Sequence, residues 1–251
     1  MSTPGGMPLH RAFAANVRGR DFFCGDIHGS MAELTRALAH VHFNPADDRL
    51  FCVGDIIDRG EDSAACIHLC ETGWFFSVLG NHEEMLLKVR QQQQPFDRWQ
   101  RNGGGWWQHT PPDEQARLAH TLIQHLSLTL TVETAAGAIG VVHAGYPFSR
   151  WPLATADAVD TASVDTLLWD RTVLRQNLCR HVAGARLLIS GHTVLPAPRL
   201  LGNHLFIDTG CGYSPDDEVS APRLTLCEIV AGNTLRFYCA DAPGDRTMPL
   251  P

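Results

Sequence analysis

Five stretches of the chain share one pattern. An apolar run stops at or beside a glycine and is followed by residues that can bind a cation or a proton. They read "DFFCGDIHG" (21–29), "RLFCVGDIIDRG" (49–60), "FFSVLGNHE" (75–83), "AIGVVHAG" (138–145) and "LLISGHT" (187–193). Apolar runs of this length, bounded by glycine, predict buried strands. After each of the first three the apolar spacing turns helical: "SMAELTRALAHV" (30–41), opened by a serine suited to capping, then "EDSAACIHLCETG" (61–73), then the segment through "HEEMLLKVR" (82–90). This β-α-β-α-β order predicts parallel strands whose carboxyl ends share an edge, and ligand sites collect at such edges.

The remainder patterns differently. Residues 1–20 read as a loose lead-in. The stretch "QQQQPFDRWQRNGGGWWQHTPPDEQ" (91–115) is poor in aliphatics, and "DEQARLAHTLIQHL" (113–126) has helical spacing, so residues 91–126 predict a helical insertion or cap. From residue 127 short β-like runs dominate, among them "LSLTLTVE", "HLFIDTG", "RLTLCEIV" and "TLRFYC". Such runs are the pattern of a sheet sandwich. The expected fold is α/β, a central β-sandwich of mixed sheets flanked by helices, with one domain over residues 1–251 and its site at the strand carboxyl ends.

Composition narrows the function. Hydrophobic residues make up 44% and charged residues 19% of 251, an ordinary globular balance. A formal charge of −7 argues against a nucleic-acid partner, which calls for a basic face. None of the eight cysteines forms a CxxC pair, and Cys24 and Cys52 lie inside strand runs, so free buried thiols are expected. The N-terminal stretch lacks the apolar core of a signal peptide, and no run approaches membrane-spanning length; the cytoplasm is the expected location.

The chemistry lies at the strand ends. Asp55, Asp58 and Arg59 follow one strand, and carboxylates that close repel unless something positive lies between them. Asp26, His28, Asp55, Asn81, His143 and His192 together supply the oxygen and imidazole donors that suit two divalent cations sharing one carboxylate.

The blocks "GDIHG" (25–29), "GDIIDRG" (54–60), "GNHE" (80–83), "HAG" (143–145) and "GHT" (191–193) resemble, in order, the signature blocks of the phosphoprotein phosphatase family of metallophosphoesterases. The similarity is to its bacterial and bacteriophage branch of small serine/threonine phosphatases. "NGG" (102–104) after a tryptophan, "WDR" (169–171) and "FIDTG" (206–210) resemble secondary features of that branch. The resemblance implies a metallophosphoesterase fold and two divalent metal ions. Mn²⁺ is the family-based expectation, with Fe or Zn as alternatives. Asp26 and His28 would hold the first ion, Asp55 would bridge, and Asn81, His143 and His192 would complete the second. His82 would be the general acid, oriented by Asp58, with Arg59 and Arg171 gripping the phosphoryl oxygens.

The residue types suit that chemistry. Two cations acidify a shared water, arginine forks meet phosphoryl charge, and an alkoxide leaving group needs a proton. No cysteine has an arginine six positions on, so a covalent cysteine phosphatase is not indicated. The implied partner is a phosphoserine or phosphothreonine protein or peptide, with phosphotyrosine open. The nearest alternative is a symmetrical dinucleoside tetraphosphate hydrolase, a relative with similar blocks. A non-catalytic phosphoprotein-binding module would be expected to lack a ligand, and all six are present. Structural roles are expected for the remaining histidines, such as His10 and His204, and for Cys211. Trp106 and Trp107 suit either the floor of a substrate groove or an anchor for the 91–126 segment.

Overall fold

The protein is described here by a computed structural model covering residues 6–153, 159–216, 219–231, 233–239 and 245–251. Its strands are β1 (His10–Phe13), β2 (Asp21–Cys24), β3 (Arg49–Cys52), β4 (Phe75–Ser77), β5 (Thr129–Thr134), β6 (Gly137–Val142), β7 (Leu187–Ser190), β8 (Arg199–Leu201), β9 (His204–Phe206), β10 (Leu226–Val230), β11 (Thr234–Tyr238) and β12 (Arg246–Pro249). They form two six-stranded mixed sheets, ordered β12-β11-β10-β2-β3-β4 and β1-β5-β6-β7-β9-β8. The expected α/β sandwich is therefore the observed architecture.

The strands read as unbroken apolar runs because both of their faces are buried. Side chains alternate across a strand. Phe22, Cys24, Leu50 and Cys52 accordingly pack into the core shared with the helices, while Phe23, Phe51 and Val53 pack between the sheets with Leu130, Val141 and Ile189. β2, β3 and β4 pair in parallel, as their helical connections α1 (Met31–His40) and α2 (Ser63–Leu69) require. In the other sheet β6 and β7 are also parallel.

Two expectations change. The lead-in contains β1, which pairs in parallel with β5 and places His10 opposite Thr129; residues 1–5 lie outside the described part. Ser30 does precede α1, but its side chain makes no capping bond; its hydroxyl donates to the carbonyl of His28 (3.2 Å), inside the turn after β2. Residues 91–126 carry α4 (Phe96–Gln100), a 3-10 turn (Gly104–His109) and α5 (Pro112–His125), following α3 (Asn81–Arg90). Further on, α6 (Thr161–Trp169) and α7 (Thr172–Arg175) flank Asp170 and Arg171.

Candidate metal centre and active site

The turns after β2, β3, β4, β6 and β7 converge where the carboxyl ends of the two sheets meet. Nine non-glycine residues have positive φ among the described residues, and five belong to these turns: His28, Asp55, Asp58, Arg59 and His192. Side chains rarely adopt that region, so the surroundings must hold them there. Glu83 does part of this. Its buried carboxylate accepts backbone N–H bonds from Asp55, Ile56, Ile57 and Gly80 at 2.9–3.2 Å, tying the turn after β3 to the start of α3. Gly80 has no side chain because a Cβ there would strike the Asp55 carboxylate.

Asp55 sits at the centre. Its Oδ2 lies 3.5 Å from His143 Nε2, 3.8 Å from His82 Nε2 and 3.9 Å from His28 Nε2. These gaps are too long for hydrogen bonds. Donor atoms of His28, Asp55 and His82 lie within 4.8 Å of one another, as do those of Asp55, His143 and His192. The other face of each ring is already committed. His28 Nδ1 donates to the carbonyl of Ile57 (3.0 Å) and His143 Nδ1 to that of Val53 (2.7 Å), so each presents Nε2 to Asp55. A backbone carbonyl that fixes a tautomer in this way is the usual support of a metal-ligating imidazole. His192 Nε2 donates to the carbonyl of Trp169 at 3.3 Å, which leaves Nδ1 as its ligand atom. Asn81, the first residue of α3, directs Oδ1 to His143 Nε2 at 2.9 Å.

Asp26 lies outside both clusters, and its oxygens accept the backbone N–H of His192 at 3.1 and 3.2 Å. His82 stands inside the first cluster, and its electrostatics separate it from the others. Burial pushes His28 and His192 down to about 3 and lowers His143 as well, so all three are neutral, ligand-ready imidazoles. Burial also acts to lower His82, but Asp55 and the Asp58 hydrogen bond outweigh it and hold this ring above its ordinary value. His82 Nδ1 donates to Asp58 Oδ2 at 2.6 Å. Titratable neighbours driven in opposite directions mark a division of labour between ligands and a proton carrier.

The arginines differ in placement. Arg59 is exposed and stacks its guanidinium 4.0 Å over the ring of Tyr213. Arg171, just before α7, donates from Nη2 to the His192 carbonyl (3.4 Å), with its Nε 3.2 Å from His192 Nε2. Both guanidiniums therefore border the Asp55 cluster.

The residues present fit a metal group. Burial opposes the charge of Asp55, yet four histidines around it, His143 first, hold it below the usual carboxylate range. Asp26 is raised by burial and then by Asp208 and Asp55. Asp208 is raised to about 6, by burial first and also by Asp55, against a hydrogen bond from Gly210. Its Oδ2 is buried without a hydrogen-bond partner. Three buried carboxylates that repel one another, one of them with an unpaired oxygen, beside three neutral imidazoles form a donor set suited to cations.

Asp208, Glu83 and Trp99 are contributors that the reading of the sequence left without a role. Asp208 and Glu83 lie within quoted blocks and carry the right chemistry, so a signal was present. Trp99 gives none, since its meaning depends on a contact across the fold: its indole N–H donates to Asp58 Oδ2 at 2.6 Å. Trp106 donates to Asp58 Oδ1 at 2.7 Å, which ties the 91–126 segment to the turn after β3; Trp107 is a core residue, 5.6 Å from the Trp99 ring. Cys211 packs under the turn after β2, its thiol on the carbonyl of Ile27 (3.3 Å), and all eight cysteines are free.

A two-sheet sandwich that gathers carboxylates, neutral imidazoles and two arginines at one edge defines a hydrolase of the metallophosphoesterase class. Residues 22–230 match the calcineurin-like phosphoesterase family, and the chain belongs to it. Among curated relatives, serine/threonine-protein phosphatase 1 of Salmonella typhimurium is 35% identical over 207 residues, 82% of this chain and 89% of that one. Serine/threonine-protein phosphatase 2 of the same organism is 32% identical over 74% of this chain and 85% of its own. The symmetrical bis(5'-nucleosyl)-tetraphosphatase of Shewanella sp. (strain MR-4) is 47% identical, over 27% of this chain and 26% of its own. A yeast (Saccharomyces cerevisiae) serine/threonine phosphatase structure shares the fold with a TM-score of 0.54 at 17% identity, covering 92% of this chain and 79% of that one.

Proposed function

We propose that the protein removes phosphate from phosphoserine and phosphothreonine side chains of proteins, using two divalent cations. Asp26 and His28 would hold one cation, Asn81, His143 and His192 the other, and Asp55 both; Mn²⁺ is the expected ion. Bound there, the cations would supply a water acidified toward neutral pH and positive charge for the phosphoryl oxygens. The observation that carries the reading is the His82–Asp58 pair beside the ligand cluster: His82 Nδ1 on the buried Asp58 carboxylate at 2.6 Å, with the ring raised above its ordinary value while three neighbouring imidazoles are lowered by burial.

The chain's own groups have separable tasks. Arg59 and Arg171 offer planar forks for two oxygens of the phosphoryl group, and the Tyr213 ring keeps the Arg59 plane fixed. The amino-terminal end of α3, which carries Asn81 and His82, adds a positive dipole end beside the anion. His82 Nε2 faces the Asp55 cluster and delivers its proton to the departing oxygen, while Nδ1 stays bonded to Asp58. An alkoxide leaves poorly without that proton, so the pair matters most for serine and threonine esters.

Similarity to protein phosphatases runs over most of both chains, which favours a phosphoprotein substrate. Sequence similarity to the curated tetraphosphatase is concentrated in one short segment, while a solved structure named for diadenosine tetraphosphatase activity shares the fold over 91% of this chain, which keeps symmetrical dinucleoside tetraphosphate cleavage as the second reading. Turnover of phosphoserine, phosphothreonine and phosphotyrosine peptides and of diadenosine tetraphosphate by the Mn²⁺-loaded protein separates them. Phosphoserine and phosphothreonine peptides should be turned over at least about tenfold more efficiently, in kcat/KM, than the dinucleotide. The reverse order would replace the first reading with the second.

A further inference from the structure

The buried carboxylate of Asp58 receives three N–H donors. His82 Nδ1 and Trp99 Nε1 share Oδ2, each at 2.6 Å, and Trp106 Nε1 takes Oδ1 at 2.7 Å. Asp58 itself has positive φ and is fully buried, and its backbone N–H is held by Ser63 Oγ at 2.9 Å. Both indoles come from residues 91–126, and so does a third contact. Gly103 lies against the backbone of the Asp58–Arg59 turn with φ +105, where a Cβ would meet Arg59 N at 2.7 Å. Two indoles that reach one buried carboxylate from separate elements, on opposite oxygens, cannot be explained as apolar packing. Tryptophan N–H seeks a partner when buried, and here both have the same one.

We propose that Trp99 and Trp106 are positioning residues for the reaction: their N–H groups fix both oxygens of Asp58, and through Asp58 the plane and direction of the His82 ring. The 91–126 segment then serves as a brace for the proton-delivering pair instead of a lid over the substrate. A carboxylate held by His82 alone is free to rotate about its Cβ–Cγ bond and to take the imidazole with it. With both oxygens pinned, the ring has one orientation, Nε2 toward the Asp55 cluster. Displacements of about 1 Å at such a pair are costly to rate. The catalytic part of this inference rests on the proposed role of His82; the geometric part does not.

Trp99→Phe and Trp106→Phe keep an aromatic ring but remove the N–H donor together with part of the indole, so the contrast between two substrates, and not the size of one loss, carries the test. On the Mn²⁺-loaded protein, kcat for an alkyl phosphate such as phosphoserine peptide should fall about tenfold or more in each variant. For p-nitrophenyl phosphate, whose leaving group needs little help from an acid, the fall should stay under about threefold. Inhibition by inorganic phosphate and bound metal should match the parent. Equal losses on both substrates, or no loss, would overturn the positioning role.

A second measurement does not depend on turnover. In ¹H–¹⁵N spectra of indole-labelled protein, the Trp99 and Trp106 N–H signals, identified by their disappearance in the two variants, should lie downfield. Both should move upfield in Asp58→Asn. Trp169, whose N–H donates to Glu84 at 2.9 Å, should stay in place as an internal control. If neither signal responds to Asp58→Asn, the brace does not exist. A parent inactive on every phosphomonoester would instead sink the proposed function and leave the brace to be decided by the spectra.

Discussion

Four buried histidines surround Asp55, and chemistry assigns them to two groups. His28, His143 and His192 are driven toward the neutral form by burial, which a cation requires of its imidazole ligands. His82 is held the other way by two carboxylates. The account at this scale yields a prediction about His82→Asn, which keeps a polar side chain but carries no transferable proton. Metal content should match the parent. Turnover of phosphoserine peptide should fall by about 10²–10⁴-fold, and that of p-nitrophenyl phosphate by much less. Steady-state rates on both substrates, with metal analysis of the same samples, check this. A uniform loss on both would speak for a ligand or packing role.

Elements decide which of these residues meet. β2, β3, β4, β6 and β7 were legible because each is an apolar run buried on both faces that ends at or near a glycine, and the ligand-type residues after them were legible by type. β1 was not: "HRAF" is four residues of mixed polarity, and it becomes a strand only because β5 offers an edge. The short β8 and β12 have the same dependence on a neighbour. The contacts on Asp58 were illegible for a similar reason, since nothing local in "FDRWQRNGGGWW" says that it will fold back onto residues 58 and 59.

His204 shows what an element can contribute outside the site. It lies on β9 with its ring stacked 4.2 Å from Phe206 and bonded to Ser190 Oγ on β7 at 2.7 Å. Burial pushes it down to about 3. The unfolded chain takes up this proton below about pH 6.5, while the folded protein refuses it until about pH 3. Between these values the unfolded state binds more protons. The folded state is therefore fully favoured above pH 6.5 and loses about 1.4 kcal/mol per pH unit from this group as pH falls. His204→Gln keeps a partner for Ser190 and does not titrate. Denaturant titrations across about pH 4 to 6 should show a shallower pH dependence than the parent by close to one proton; identical slopes would refute the assignment.

At the scale of the whole molecule, the two sheets have one consequence for chemistry. Their carboxyl ends meet, so residues far apart in sequence, Asp26 and His192 among them, are joined by a hydrogen bond. The result is a buried, carboxylate-rich pocket in a chain of net charge −7. Cations bound there would offset the repulsion among Asp26, Asp55 and Asp208, and under the proposed function they would make the same residues the hydrolytic centre. Asp55 is the carboxylate common to both donor clusters, so its charge carries the central claim.

The most direct test measures metal stoichiometry and phosphatase turnover together, in the parent and in Asp55→Asn. The account predicts two divalent ions per chain in the parent, loss of turnover on chelation with recovery on adding Mn²⁺, and a joint fall of metal content and turnover in Asp55→Asn by about 10²-fold or more in rate. Full occupancy by two ions with parental turnover in Asp55→Asn, or undiminished turnover of a metal-free parent, would contradict it.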